Sequence, residues 1–138
     1  MLHKQGKILA LDLGTRRTGV ALSDSKQRVA FARPEIEHKN ENEAIEQIKN
    51  LCKKEELIGL VIGLPVKLDG SETKQTDQVK ILIKKLEVLG LPILTVDERL
   101  STEFAKDLHG FESKELYVDS RSAQILLETY LESLLSKD

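Results

Sequence analysis

Apolar positions along the chain change period twice. Residues 7–13 (KILALDL) form a dense apolar run closed by Gly14, which reads as a buried strand with an acid, Asp12, near its end. Residues 18–23 (TGVALS) are small and β-branched and predict a second strand. Gly14-Thr15-Arg16-Arg17 joins the two at hairpin length. A third strand is expected over 28–32, stopping before Pro34. The spacing then turns helical: Asn40 with Glu43 resembles a capping box, and Ala44, Ile45, Ile48, Leu51 and Cys52 follow on one stripe. Residues 57–62 return to strand character, closed by Gly63-Leu64-Pro65. Ser71 is placed to cap the next helix, whose stripe is Val79, Leu82, Ile83 and Leu86 and whose stop is Gly90. Residues 92–96 make a fifth strand. Ser101 opens a short helix through Leu108, and a last helix over 119–136 carries Ala123, Leu126, Leu127, Tyr130, Leu131 and Leu134 on one face.

The order β-β-β-α-β-α-β-α-α predicts an α/β fold: a mixed sheet whose first three strands form an antiparallel meander, with helices packed on it. At 138 residues, with 40% hydrophobic and 32% charged positions, one globular domain over 1–138 is expected. The longest apolar run, 57–66, is broken by Gly59, Gly63 and Pro65 and is too short to span a membrane. It is apolar enough for an interface but reads better as a core strand. The N-terminal residues reach Asp12 before a signal-like core could form, and the single Cys52 allows neither an intrachain disulfide nor a cysteine metal cage. These features point to a cytoplasmic protein.

The formal net charge of −2 hides an asymmetry: residues 1–34 hold seven cations and two anions, whereas the remainder holds fourteen cations and twenty-one anions. Such a split bears on partners rather than on fold. Among motifs, no nucleophile elbow, Walker loop or dinucleotide-binding glycine pattern is present. His3, His38 and His109 are isolated from one another and from Cys52, so solvated histidines are expected rather than a zinc site or a triad.

The carboxylates are more informative. Asp12 ends an apolar strand, where a buried charge is costly unless paired or metal-bound, although an Asp there also caps a turn. Asp97-Glu98 follows the fifth strand, as catalytic acids or as plain strand-end solvation. Asp119 shares the inward stripe of the last helix and is equally a good N-cap. Sites in such sheets gather at the carboxyl ends of strands. Three acids near one edge repel one another, and a divalent cation relieves this; all-oxygen ligands suit Mg²⁺ or Mn²⁺. Such a site activates water for phosphodiester cleavage, and Arg16, Arg17 and Arg99, next to these acids in sequence, could hold phosphates.

Four elements in series are more specific: Asp12-Leu13-Gly14-Thr15-Arg16-Arg17-Thr18-Gly19-Val20-Ala21; Gly63-Leu64-Pro65 with Asp69-Gly70-Ser71; Asp97-Glu98-Arg99-Leu100-Ser101-Thr102; and Val118-Asp119-Ser120 with Ala123, Ile125 and Leu126. In this order and length they closely resemble the YqgF (RuvX) family of Holliday junction resolvases. The resemblance implies an RNase H-like fold, a five-stranded mixed sheet with its second strand antiparallel to the others and helices on both faces. It also implies a nuclease dependent on Mg²⁺ or Mn²⁺, linked in bacteria to maturing the 5′ end of precursor ribosomal RNA, with branched DNA as the older proposed substrate. Position by position, Asp12 and Asp119 match the first and last acids, and the Asp97-Glu98 pair matches the middle one. Related resolvases carry a Glu there, which favours Glu98 as catalytic residue and metal ligand. The resemblance leaves Asp97 as a further metal ligand, since neighbours on a strand point to opposite faces. Thr15, Arg16, Arg17, Lys67 and Arg99 are the implied nucleic-acid contacts. Unlike relatives with several basic residues before the last acid, 112–117 offers only Lys114. A non-catalytic RNA-binding module on the same fold is the alternative. The D-x-G-T element also opens the phosphate loop of actin-like kinases, but those enclose ATP with a second domain that 138 residues do not supply.

Overall fold

The structure is a computed structural model that describes residues 5–99 and 120–135. Its strands are β1 (Ile8–Leu13), β2 (Arg17–Ser23), β3 (Ala30–Glu37), β4 (Gly59–Leu64) and β5 (Ile93–Asp97), and its helices are α1 (Glu41–Glu55), α2 (Lys74–Leu86) and α3 (Arg121–Leu135). The strands form one five-stranded sheet in the order β3-β2-β1-β4-β5. β2 pairs antiparallel with β1 and β3, while β1-β4 and β4-β5 are parallel. The meander followed by parallel crossovers is the architecture expected from the sequence. The helix expected over 101–108 and the residues up to Asp119 lie outside the described residues, as do His3 and His109.

The pleat divides the core. Leu9, Leu11 and Leu13 of β1 and Leu60 and Ile62 of β4 pack with Ile48 of α1 and with Val79, Leu82 and Leu86 of α2. Ile8 and Ala10, with Ala21 and Val61, pack instead on Ala123, Leu127 and Leu131 of α3. Helices therefore cover both faces, and odd and even residues of β1 belong to different layers. Gly59–Leu64 is buried at mid-sheet, consistent with a core strand.

Two local expectations are corrected. β3 continues through Pro34 to Glu37, because β3 is an edge strand and the β2–β3 register slips there: Val20 pairs with Arg33 but Thr18 with Ile36. A proline without an N–H is tolerated at such a bulge. The cap of α2 is Thr73, not Ser71; Thr73 and Thr76 form a reciprocal capping box. Ser71 instead donates its N–H and O–H to Asp69 Oδ1 at 2.8 and 2.6 Å, closing the turn before the helix. Asn40 caps α1 as expected, accepting the Glu43 N–H at 2.9 Å, while Glu43 Oε1 accepts from Lys39 N–H at 3.4 Å.

Thr76 is fully buried, and its hydroxyl donates to the Pro65 carbonyl while accepting the Thr73 N–H at 2.9 Å. It thus ties the loop leaving β4 to the start of α2. Thr76→Val keeps the shape but strands the Pro65 carbonyl and half the capping box. A loss of about 1–3 kcal/mol is expected in urea unfolding followed by circular dichroism.

Candidate functional site

Asp12 continues the even-numbered set of β1, so it faces the α3 layer at the carboxyl end of the strand, half-buried. Its cross-strand partner on β2 is Gly19. On the other side the ladder pairs Leu11 with Ile62, so the next step sets Gly63 beside Asp12. With a glycine on each side, the two neighbouring strands place no side chain of their own next to this carboxylate.

Glu98 fills part of that space. It follows Leu94 and Val96, the β5 residues packed in the α3 layer. A Cβ built on Gly63 would lie 2.9 Å from Glu98 Oε1 and 2.7 Å from Leu126 Cδ1, so only glycine lets the carboxylate and α3 come this close. Glu98 shares a hydrogen bond with Asp12; burial first, then Asp12, push its carboxyl up to about 8. Two carboxylates, one near the end of β1 and one just after β5, are thus held in contact, which favours the protonated form of Glu98.

Asp97 turns to the opposite side. Its Oδ1 accepts the Arg99 backbone N–H at 2.9 Å, while Arg99 Nε donates to both carboxylate oxygens at 3.1 and 2.9 Å and Nη2 to Oδ2 at 2.5 Å. Arg99 Nη1 donates to the Leu68 carbonyl at 3.1 Å. The guanidinium holds Asp97 below the usual carboxylate range. Gly70, at φ 89°, lies under this guanidinium, with space for a Cβ only 3.3 Å from Nη1. The structure therefore pairs Asp97 and Arg99 with each other and with the 66–71 loop.

The remaining expected residues are distributed around this edge. Thr15 and Arg16 are exposed on the β1–β2 turn, and Arg17 forms an ion pair with Glu35 at 3.7 Å. Lys67 is exposed in the loop after β4. Asp119 lies outside the described residues. Its neighbour Ser120 is fully buried and accepts the Val20 N–H at 3.0 Å, which anchors the entry to α3 one residue from Gly19. Among the described residues, no group of three or more His, Cys, Asp and Glu side chains forms a metal cluster. The donor set that is present fits a hard cation: two oxygen-only ligands in contact, the Glu98 carboxyl pushed up by burial and then by Asp12, with glycines on either side.

Sequence reasoning missed Gly19 and Gly63 as site residues, although isolated glycines inside strand patterns are the signal for a close approach. It also misplaced His38, which is buried rather than solvated, with Nε2 2.9 Å from Thr18 Oγ1. The contact with Thr18, twenty residues earlier on β2, is one that the local sequence around His38 does not reveal.

The sequence profile of a family described as RuvX, Holliday junction resolvase, matches residues 6–133. The chain belongs to the RuvX family. A RuvX relative from Maridesulfovibrio salexigens, named "Putative pre-16S rRNA nuclease", is 38% identical over 135 residues, covering 91% of this chain and 97% of its own. A relative of the same name from Buchnera aphidicola is 37% identical over 129 residues, covering 89% and 94%. Among solved structures, Thermus thermophilus RuvC in complex with a Holliday junction substrate superposes with a TM-score of 0.68 at 8% identity, covering 96% of this chain and 97% of that one. The fowlpox virus Holliday junction resolvase superposes at 0.53 with 12% identity, covering 93% and 99%. These similarities establish the RNase H-like fold, and RuvX membership places the chain among hydrolases of phosphodiester bonds. Among the described residues, no helix is long and apolar enough to cross a membrane.

Between the ordinary Glu value of 4.5 and about 8, the folded protein keeps the Glu98 proton that the unfolded chain has released. Stability therefore falls as pH rises through that interval, and the whole penalty is present above it. In EDTA, Glu98→Gln is expected to gain about 1–3 kcal/mol on wild type between pH 5 and pH 8.5. Urea titrations across that range check this; parallel curves for the two proteins would refute the Asp12–Glu98 contact.

Proposed function

We propose that this RuvX chain is a Mg²⁺- or Mn²⁺-dependent nuclease that matures the 5′ end of precursor 16S ribosomal RNA in the cytoplasm, with residues 1–138 as one nuclease domain. The observation that carries the reading is the contact of Asp12 with Glu98 beside Gly63, at the carboxyl edge of the sheet. Asp12, Glu98 and Asp119 are the catalytic acids and metal ligands. Of the Asp97-Glu98 pair, Glu98 takes this role, because it shares the α3 face with Asp12 whereas Asp97 is occupied by Arg99. Ser120 supports the inclusion of Asp119, since it ties the residue that follows Asp119 to β2 beside Gly19.

A divalent cation at these carboxylates supplies activation of water and stabilisation of the leaving oxygen. The chain's own residues supply the rest. Gly63 lets Glu98 and Leu126 close in beside Asp12, and Arg99 holds the Asp97 carboxylate in a salt bridge of its own. Arg16, Arg17, Thr15 and Lys67 border the same edge as phosphate contacts, the arginines through paired N–H donors. The RNA substrate is favoured by the names of the full-length relatives, and the branched-DNA reading by the family description.

Purified protein is to be incubated with precursor 16S rRNA and with a four-way DNA junction, in Mg²⁺, Mn²⁺ or EDTA. Cleavage of the RNA that EDTA abolishes is expected, with Asp12→Asn folding normally but losing roughly 100-fold or more of the rate. Full activity in Asp12→Asn would defeat the assignment, and cleavage of the junction alone would transfer it to branched DNA.

A further inference from the structure

Asp12 faces α3, but the next residue, Leu13, faces the other layer, and there the same edge of the sheet holds a cavity of about 310 Å³. Leu13, Ala44, Val79 and Leu82 make its apolar part, and the exposed amides of Gln75 and Gln78 stand at its rim. That volume is at the small end of ligand pockets, which span about 300–1,000 Å³, and suits a single planar ring system.

His38 lines this cavity and is only 6% exposed. Its Nε2 is paired with Thr18, but its Nδ1 is buried and finds no partner among the described residues. With Nδ1 covered and Nε2 held by Thr18, His38 gives the cavity a fixed ring surface rather than a polar contact. Burial lowers the His38 pKa, which favours the neutral ring and keeps this wall of the cavity uncharged.

A groove with Arg16, Arg17, Lys39, Glu37 and Glu43 along it adjoins the cavity and shares His38 and Lys39 with it. Arg17 is engaged by Glu35, and the Glu43 carboxylate accepts from the Lys39 backbone. Arg16, Arg17 and Lys39 are all exposed on this path, Arg17 alongside Glu35.

We propose that this cavity is a nucleotide pocket, receiving one unpaired base between its apolar walls while Arg16 and Lys39 hold the attached phosphate. The inference rests on the chain's being a nucleic-acid enzyme and adds a second contact on the opposite face of the sheet from Asp12. Gln and Asn amides pair in two-point fashion with base edges, and unstacked bases enter pockets with apolar as well as aromatic walls. A paired base cannot enter, so the pocket selects a single-stranded segment or a free nucleotide.

Binding is to be measured in EDTA, where cleavage is not in play, with a short single-stranded RNA, the same sequence as a duplex, and adenosine monophosphate. The double variant Gln75→Ala/Gln78→Ala changes two exposed side chains and should fold as wild type. It is expected to bind the single strand about tenfold more weakly, the worth of one amide–base pair, with duplex binding unchanged. Arg16→Ala should weaken both. The His38 Nδ1 resonance in ¹⁵N NMR should shift on saturation with the strand or with the mononucleotide. If adenosine monophosphate also binds and loses affinity in the double variant, the pocket takes free nucleotides as well. Unchanged strand affinity in the double variant, or an unmoved His38 resonance at saturation, would overturn the pocket. Glutamine-dependent strand binding without any metal-dependent cleavage would keep the pocket and end the nuclease reading instead.

Discussion

Asp12 and Glu98 are held in hydrogen-bonding contact at a half-covered sheet edge, although two ionised carboxylates so close would repel one another. The rest of the structure can be understood as what makes this tolerable. β1 is the central strand, paired on both sides, so Asp12 cannot withdraw by local rearrangement. β4 separates β1 from β5 and would ordinarily place a side chain between the two acids. Gly63 removes that side chain, and Leu126 of α3 closes over the same glycine. The proton on Glu98 balances the contact in the free protein, and a hard cation can take over that balance.

Arg99 has a different part in this arrangement from the one its sequence position suggests. Beside an acidic pair, a free guanidinium would neutralise the carboxylates that a cation needs. Its side chain instead closes on Asp97 and on the Leu68 carbonyl, consuming the charge of one acid and fastening the 66–71 loop to the end of β5. The turn so formed sends residue 97 one way and residue 98 the other. The adjacent acids thus divide into a structural one and one that remains beside Asp12.

How much of this was legible in the sequence follows from the range of the interactions. Element type and the mixed sheet were readable because hydrophobic period is local, and Asp12 stood out as an acid ending an apolar strand. The choice within Asp97-Glu98 was not readable, because it depends on the pleat of β5 and on an Arg99 side chain that pairs with Asp97 while donating to the Leu68 carbonyl of a loop some thirty residues earlier. Gly19 and Gly63 were visible as letters but not as neighbours, since only the register across three strands places both beside Asp12. The end of β3 was misjudged because Pro34 forbids a central strand but not a bulged edge one. His38 was misjudged because its partner Thr18 and its neighbours on α2 around the cavity are remote in sequence.

The pleat also bears on the charge asymmetry. Residues 1–34 carry the excess of cations, and they build β1, β2 and most of β3, one half of the sheet, while the acid-rich remainder supplies the helices and the other half. Asp12 lies at the boundary, on the strand that pairs with both halves. On the proposed nuclease reading, a polyanion approaching from the cationic half would meet Arg16 and Arg17 on the β1–β2 turn. Since the chain as a whole is slightly acidic, on that reading its hold on a phosphate backbone would rest on these few local contacts and on charge compensation at the carboxylates. Such binding involves few released counterions, so its salt dependence should be shallow compared with that of a broadly basic protein. The net charge of −2 therefore constrains how strongly nucleic acid is held, not whether it is the substrate.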